Sequence, residues 1–372
     1  MRAMVTGQVG VDKGPYLEAL KAYAVERGID LEICHVGRMM YAEAPDVPAG
    51  RILNLPIGRL NTLRRAVFKE ILSVAARHEH VLVNTHATFR WKHGLFAAFD
   101  FDQTKAFNAD TYVTLLDNVE SVHQRLLREH DIDHSLKDIM VWREEELLAT
   151  EILANILAGH GHFFMLSRGR GAPAIQTLFR LMFEPHRRKA YLSFPITHVM
   201  DLPDTLAEID AFKRTMNEHL ICFDPADVDE FSLHTLAIAA LREGQTTIEV
   251  PAADGPITLK TADVAQISGD IMGQIYARDF KMIDQSDMII SLIPQLPGGR
   301  PALSSGVERE LHHAFEGGKE VYVIWRGKNP PSPFVTETAT RVFSGVEEAL
   351  EWFEKKGYVG NGARTTMPAK AS

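Results

Sequence analysis

Residues 276–325 read YARDFKMIDQSDMIISLIPQLPGGRPALSSGVERELHHAFEGGKEVYVIW. Within them, 288–293 and 321–325 are short apolar runs rich in Ile and Val and bounded by turn residues. That is the pattern of strands buried on both faces of a parallel sheet. Between the two runs, 307–315 has helical character, and Gly317-Gly318 stops it. The stretch is therefore a strand–loop–helix–strand unit, in which ligands bind in the crevice beyond the C-terminal end of the first strand. The loop 294–306 falls there, and Glu308 and Glu310 sit at the start of the helix that follows.

At these residues the chain resembles the nucleoside 2-deoxyribosyltransferases and the related nucleoside 5′-monophosphate N-glycosidases. The resemblance runs through Asp287, Ser304, Gly306, Val307, Glu310, Leu311, Ala314 and Gly318-Lys319. It continues in the pair Arg278-Asp279 ahead of the strand and in KAYLSFPI at 189–196. Together these pieces cover roughly half of the chain, and their order carries the likeness rather than any one of them. The resemblance implies Glu310 as the catalytic glutamate, Asp279 as its partner aspartate, and Tyr191 positioning the nucleophile.

Length and composition frame this reading. At 372 residues, with 45% hydrophobic and 24% charged side chains, the chain is expected to hold two soluble globular domains. A net charge of −9 argues against a nucleic-acid polymer as partner. Cys34 and Cys222 lack metal-ligand spacing and read as reduced, buried thiols, so no metal site and a cytoplasmic location are expected. No signal-like N-terminus and no apolar run near ~20 residues is present, so no membrane is expected as a partner.

The N-terminal half opens with a strand, then GQVGVDKGPY at 7–16, then a helix. This is the P-loop arrangement, in which backbone N–H groups and a helix N-terminus hold phosphate. Gly7, Gly10 and Lys13 are in register; Asp12 stands where glycine is usual and Gly14 where Ser or Thr is usual. Further strands are expected at 29–35, 81–85, 111–116 and 162–166, with helices at 60–78, 119–129 and 138–157. Over about residues 1–170 the order resembles the compact P-loop adenylate kinases and related nucleoside monophosphate kinases. Asn84-Thr85-His86-Ala87 matches their Asp-Thr-His-Ala, and Arg125 and Arg128 fall in their lid region. The resemblance implies ATP, ADP or AMP as ligand, bound through Gly7, Gly10, Lys13 and Arg125. The departure at Asp12 affects the phosphate cradle; those at Gly14 and Asn84 put Mg²⁺ in doubt, and with it phosphoryl transfer. Arg168 and Arg170 follow in a loop; they either meet a nucleotide or stay solvated.

The expected organisation is thus α/β: two doubly wound parallel-sheet domains, P-loop kinase-like and then a flavodoxin- or Rossmann-like deoxyribosyltransferase fold. The boundaries are 1–170, a linker at 171–188, 189–357, and a tail at 358–372. Residues 224–262, with a hairpin around ADGP, form an insertion expected near the glycosidase site.

For the chemistry, a carboxylate beneath the sugar attacks the anomeric carbon and forms a covalent intermediate. Glu310 is assigned this part, with Glu308 as the alternative, and no cofactor is required. Asp279 orients sugar hydroxyls or protonates the leaving base. Ser193, Ser304, Ser305 and Gly306 are candidate substrate contacts; the hydroxyl-rich loop running into a helix N-terminus suits a phosphate. The expected substrate is a nucleoside or nucleoside 5′-monophosphate, and the resemblance implies a homo-oligomer. Two other readings stay open: a nucleotide sensor with an inactive glycosidase site, and a bifunctional kinase–glycosidase.

Overall fold

The computed structural model describes residues 1–91, 94–130, 134–169, 172–228, 230–252 and 254–359. Arg170 and, from residue 360 on, the expected tail lie outside the described residues. In chain order the first strands are β1 (Arg2–Thr6), β2 (Leu31–His35), β3 (His80–Asn84), β4 (Thr88–Trp91), β5 (Gly94–Ala97), β6 (Thr111–Leu116) and β7 (Phe163–Ser167). They continue with β8 (Lys189–Ser193), β9 (Ile221–Phe223), β10 (Thr247–Val250), β11 (Ile257–Lys260), β12 (Met288–Ile293), β13 (Glu320–Trp325) and β14 (Arg341–Phe343). The chain separates into two compact units. One comprises Met1–Phe183 and Ala226–Tyr276, the other Glu184–Pro225 and Ala277–Ser372. Among the described residues no helix is long and apolar enough to cross a membrane.

The first unit is built on a parallel sheet of order β2-β3-β1-β6-β7. β6 is buried at every position, as an unalternating run such as TYVTLL requires when helices cover both faces. The helix Lys13–Val25 follows β1 and buries Tyr16, Leu17, Leu20 and Ala24. The longest helix, Leu136–Leu157, starts at Ser135, whose hydroxyl accepts the Asp138 N–H. Between the strands expected at 81–85 and 111–116 the fold adds an antiparallel hairpin, β4–β5, apart from the main sheet.

The expected 189–357 domain is divided by the fold. Its middle, Ala226–Tyr276, groups with the first unit. Glu230, fully buried, takes a bidentate ion pair from Arg143 at 2.6 and 2.9 Å and also accepts the Val119 N–H at 3.0 Å. The antiparallel β10–β11 hairpin is tied in by Arg125 Nε donating to Asp254 at 3.2 Å and Gln124 Nε2 donating to the Gly255 carbonyl at 3.1 Å.

The second unit is a parallel sheet of order β14-β13-β12-β8-β9. Counted from its own first strand, β8, the order is 2-1-3-4-5. The direction of winding therefore reverses between β8 and β12. In open α/β sheets, crevices for ligands open at such reversals, beyond the C-terminal strand ends. The helix Ser305–Glu316 follows β12 and packs on β12 and β13 through Val307, Leu311 and Ala314. Gly318, at φ 67°, turns the chain, and Lys319 then donates to the carbonyls of Asp284 and Ser286 at 2.7 Å each. That contact neutralises the C-terminal end of the helix Ser268–Asp284.

The Arg143–Glu230 pair gives the first test. Arg143→Ala leaves a buried carboxylate without its partner, and chemical denaturation is expected to show a loss of about 3–5 kcal/mol. Replacing both members with apolar residues of similar volume is expected to recover most of that loss.

Candidate functional site

In the second unit, three groups expected from sequence converge at the strand-order reversal. Tyr191 and Ser193 lie on β8 with the same side-chain direction, two residues apart, and both are fully buried. Tyr191 Oη donates to Glu310 Oε1 at 3.0 Å, and Ser193 Oγ donates to Glu310 Oε2 at 2.6 Å. Glu310 reaches them from the second turn of the helix Ser305–Glu316. Glu308, in the first turn, is exposed and does not share this position.

Burial pushes the Glu310 carboxyl up to about 7; the nearby Asp279 charge adds to the rise, while the Ser193 and Tyr191 hydroxyls oppose it. Burial likewise raises Asp279 to about 6, against the pull of the adjacent Arg278 cation. Tyr191 is raised well above an ordinary phenol, first by burial and then by Glu310, so it stays a donor. Asp279 Oδ1 is buried and has no hydrogen-bond partner among the described residues. An acceptor in that state is costly unless a ligand donor completes it.

Ser291, which the sequence reading missed, donates to Ser193 Oγ at 3.3 Å from the neighbouring strand. The register pairs Ser193 with Ser291, which puts both hydroxyls in line behind the carboxylate. The other substrate candidates form the helix start. Ser304 Oγ caps it by accepting the Val307 N–H at 3.2 Å, while Ser305 and Gly306 are exposed.

In the first unit the loop after β1 is held by the backbone. Gly7, at φ 142°, and Gly10, at φ 89°, are required: a Cβ would lie 2.7 Å from the Leu115 carbonyl oxygen and 3.0 Å from that of Val122. Buried Glu146 accepts the N–H groups of Gly7, Ala87 and Thr88 at 2.9, 2.8 and 2.6 Å, and the Thr88 hydroxyl at 2.8 Å. Lys13 is buried, donates to the Gly7 carbonyl, and lies 3.4 Å from His86 Nδ1. Burial lowers its ammonium to about 8, with Glu146 and Asp12 opposing. Arg125, 1% exposed, braces the loop rather than opening onto solvent: Nη1 donates to the Gly10 carbonyl at 2.8 Å and to Asp117 at 2.7 Å.

The positions that depart from the P-loop pattern bear on the metal. Asp12 adopts the left-handed region at φ 58°, and its carboxylate accepts Arg168 Nη2 at 3.1 Å. Gly14 and Pro15 carry no hydroxyl. Asn84 has its amide 2.9 Å from His35 Nδ1. Among the described residues no cluster of three or more metal-ligating side chains occurs. The glycines, Lys13 and the helix N-terminus fit a phosphate group; the residues at the Mg²⁺ positions do not fit that ion.

Two outcomes are expected. Glu310→Gln removes a group that ionises against its burial. The wild-type carboxyl is higher in the folded chain than in the unfolded one, so stability falls as pH rises from about 4.5 to about 7. The variant lacks that loss. Its Tm relative to wild type is expected to climb across this interval and to level off on either side. In the first unit, Asp12→Gly relieves the left-handed strain and removes a negative charge. Titration calorimetry with ADP in EDTA is expected to show several-fold tighter binding.

Residues 6–143 match the family model described as AAA domain. No curated protein matches the chain. Among solved structures, a shikimate kinase from Bacteroides thetaiotaomicron is similar at 13% identity and a TM-score of 0.34, covering 50% of this chain and 97% of that one. A gluconokinase from Sinorhizobium meliloti 1021 is similar at 13% identity and a TM-score of 0.31, covering 50% of this chain and 95% of that one. The matched residues 6–143 include the glycine-lysine loop between β1 and its helix.

Proposed function

We propose that this chain cleaves the N-glycosidic bond of a nucleoside or nucleoside 5′-monophosphate, by hydrolysis or by base exchange, with Glu310 as nucleophile. The observation that carries the reading is the Glu310 carboxylate, drawn out of water and held by Tyr191 and Ser193, beside an Asp279 oxygen that lacks a donor. The 2-1-3-4-5 strand order is that of flavodoxin-like sheets, and it supports a ligand crevice at this place.

In this reading an ionised Glu310 oxygen attacks the anomeric carbon as the C–N bond breaks, and the bonding pair leaves on the base nitrogen, which takes up a proton. Water, or a second base, then attacks the same carbon and releases the carboxylate. Burial raises both carboxyls, Asp279 to about 6 and Glu310 to about 7. The buried Asp279 Oδ1, without a hydrogen-bond partner among the described residues, suits an acceptor of sugar hydroxyls. Ser304, Ser305 and Gly306 would meet a 5′-phosphate at the helix start.

The P-loop unit is assigned nucleotide binding without phosphoryl transfer, because at the positions the resemblance gives to Mg²⁺ Gly14 has no hydroxyl and Asn84 offers a neutral amide in place of a carboxylate. The same observation favours a second reading, a nucleotide sensor whose glycosidase site is a relic. A cytoplasmic homo-oligomer acting on small nucleotides completes the proposal.

Incubation with deoxynucleosides, nucleoside 5′-monophosphates and NAD, followed by chromatography, separates the readings. Free base is expected from at least one class, and Glu310→Ala is expected to abolish its release. Tyr191→Phe is expected to slow release about 10–100-fold, because the nucleophile loses one of its two donors. With Glu310 as nucleophile, kcat/KM rises with pH through about 7 and shows no falling limb from Asp279. A bell-shaped profile centred between the two carboxyls would assign Asp279 the acid role instead. No base from any substrate would leave the sensor.

A further inference from the structure

The tip of the hairpin β10–β11 ends on guanidinium groups beside the loop after β1. It spans 251–256 and reads PAADGP. Asp254 Oδ2 accepts Arg125 Nε at 3.2 Å and lies 3.4 Å from Arg128 Nη1. The neighbouring Gly255 carbonyl accepts Gln124 Nε2 at 3.1 Å. Arg125 also holds the Gly10 carbonyl through Nη1. One buried guanidinium therefore joins the turn after β1 to a carboxylate 129 residues further along the chain.

Cations and carboxylates interleave at this place. Asp117 accepts Arg125 and lies 3.8 Å from Arg168 Nη1, and Asp12 accepts Arg168 Nη2. Asp12 and Asp117 are fixed parts of the face: Asp12 is the N-cap residue of the helix Lys13–Val25, and Asp117 follows β6 directly. Asp254 differs from both. It stands on a two-stranded ribbon of four residues per strand, which pairs with no other strand among the described residues. A ribbon of that size has little stability of its own. Ile248, Val250 and Leu259 are buried and anchor the strands, whereas the Asp254 side chain is 34% exposed. An ion pair that reaches solvent is weak and screened by salt, so a second anion can replace its carboxylate. Guanidinium groups that hold a carboxylate also match phosphate oxygens.

We propose that Asp254 is a tethered competitor: it occupies Arg125 and Arg128 when no nucleotide is bound, and the phosphate oxygens of a nucleotide displace it and free the hairpin tip. The proposal rests on nucleotide binding at the P-loop and does not depend on base cleavage at Glu310.

Calorimetric titration of the full chain with ADP in EDTA tests this by comparing wild type with Asp254→Asn, which removes the charge at an exposed position and keeps the shape. The variant is expected to bind ADP about three- to ten-fold more tightly. Glu249→Gln removes the same charge from the exposed face of β10 and is expected to stay within about two-fold of wild type. Lys13→Met is expected to abolish binding, which locates the ADP. Amide hydrogen exchange over 247–260 of the wild type is expected to quicken when ADP is added, since the tip loses its hold. Equal ADP affinity in wild type and Asp254→Asn overturns the competitor and leaves nucleotide binding standing; no binding to either chain removes both. An equal gain in Glu249→Gln, binding that survives Lys13→Met, or exchange in the hairpin that ADP slows overturns the proposal as well.

Discussion

A carboxylate removed from water must be compensated, and how it is compensated decides what it can do. Among the described residues Glu310 is compensated by two hydroxyls, from Tyr191 and Ser193. Neutral donors hold the group in place while leaving its ionisation close to neutrality. A lysine or arginine at the same spot would have fixed the charge and dulled the oxygen as a nucleophile. The surrounding architecture serves this arrangement. β8 supplies both donors from one face, β12 supplies Ser291 behind them, and the helix after β12 brings the acid across.

The P-loop unit solves the opposite problem. There a cation, Lys13, is drawn inward, and the compensating groups are the Gly7 carbonyl and the carboxylates of Glu146 and Asp12. Its loop is shaped by Glu146 and Arg125, which contact backbone atoms of Gly7 and Gly10 respectively. Neither contact depends on a nucleotide. The loop's shape is therefore set by the protein itself, in a stretch whose sequence departs from the P-loop pattern at Asp12 and Gly14.

Much of this was legible in the sequence, for identifiable reasons. The strands 288–293 and 111–116 were readable to the residue, because an unbroken apolar run between turn residues has one sheet-level interpretation. Glu310 and Tyr191 were singled out through the family resemblance, and Ser193 as a candidate substrate contact in KAYLSFPI. Ser291 was not legible: a lone serine inside MIISLI becomes meaningful only once the register sets it beside Ser193. Glu146 was hidden among three consecutive glutamates, 144–146. Helical phase turns only one of them fully inward, and the charge pattern does not say which. The β4–β5 hairpin was missed because its strands span four residues each and no Asn-Gly or Asp-Gly turn joins them. The segment Ala226–Tyr276 is tied to the first unit by, among other contacts, the buried Arg143–Glu230 pair, 87 residues apart in sequence, which no local pattern announces.

Glu146 also has a kinetic meaning. Because the turn after β1 is already tied at the Gly7 amide and at the start of the β4 ribbon, its conformational entropy is spent during folding rather than on encounter. Any ligand that the loop receives meets a backbone already shaped, with little ordering cost left to the encounter.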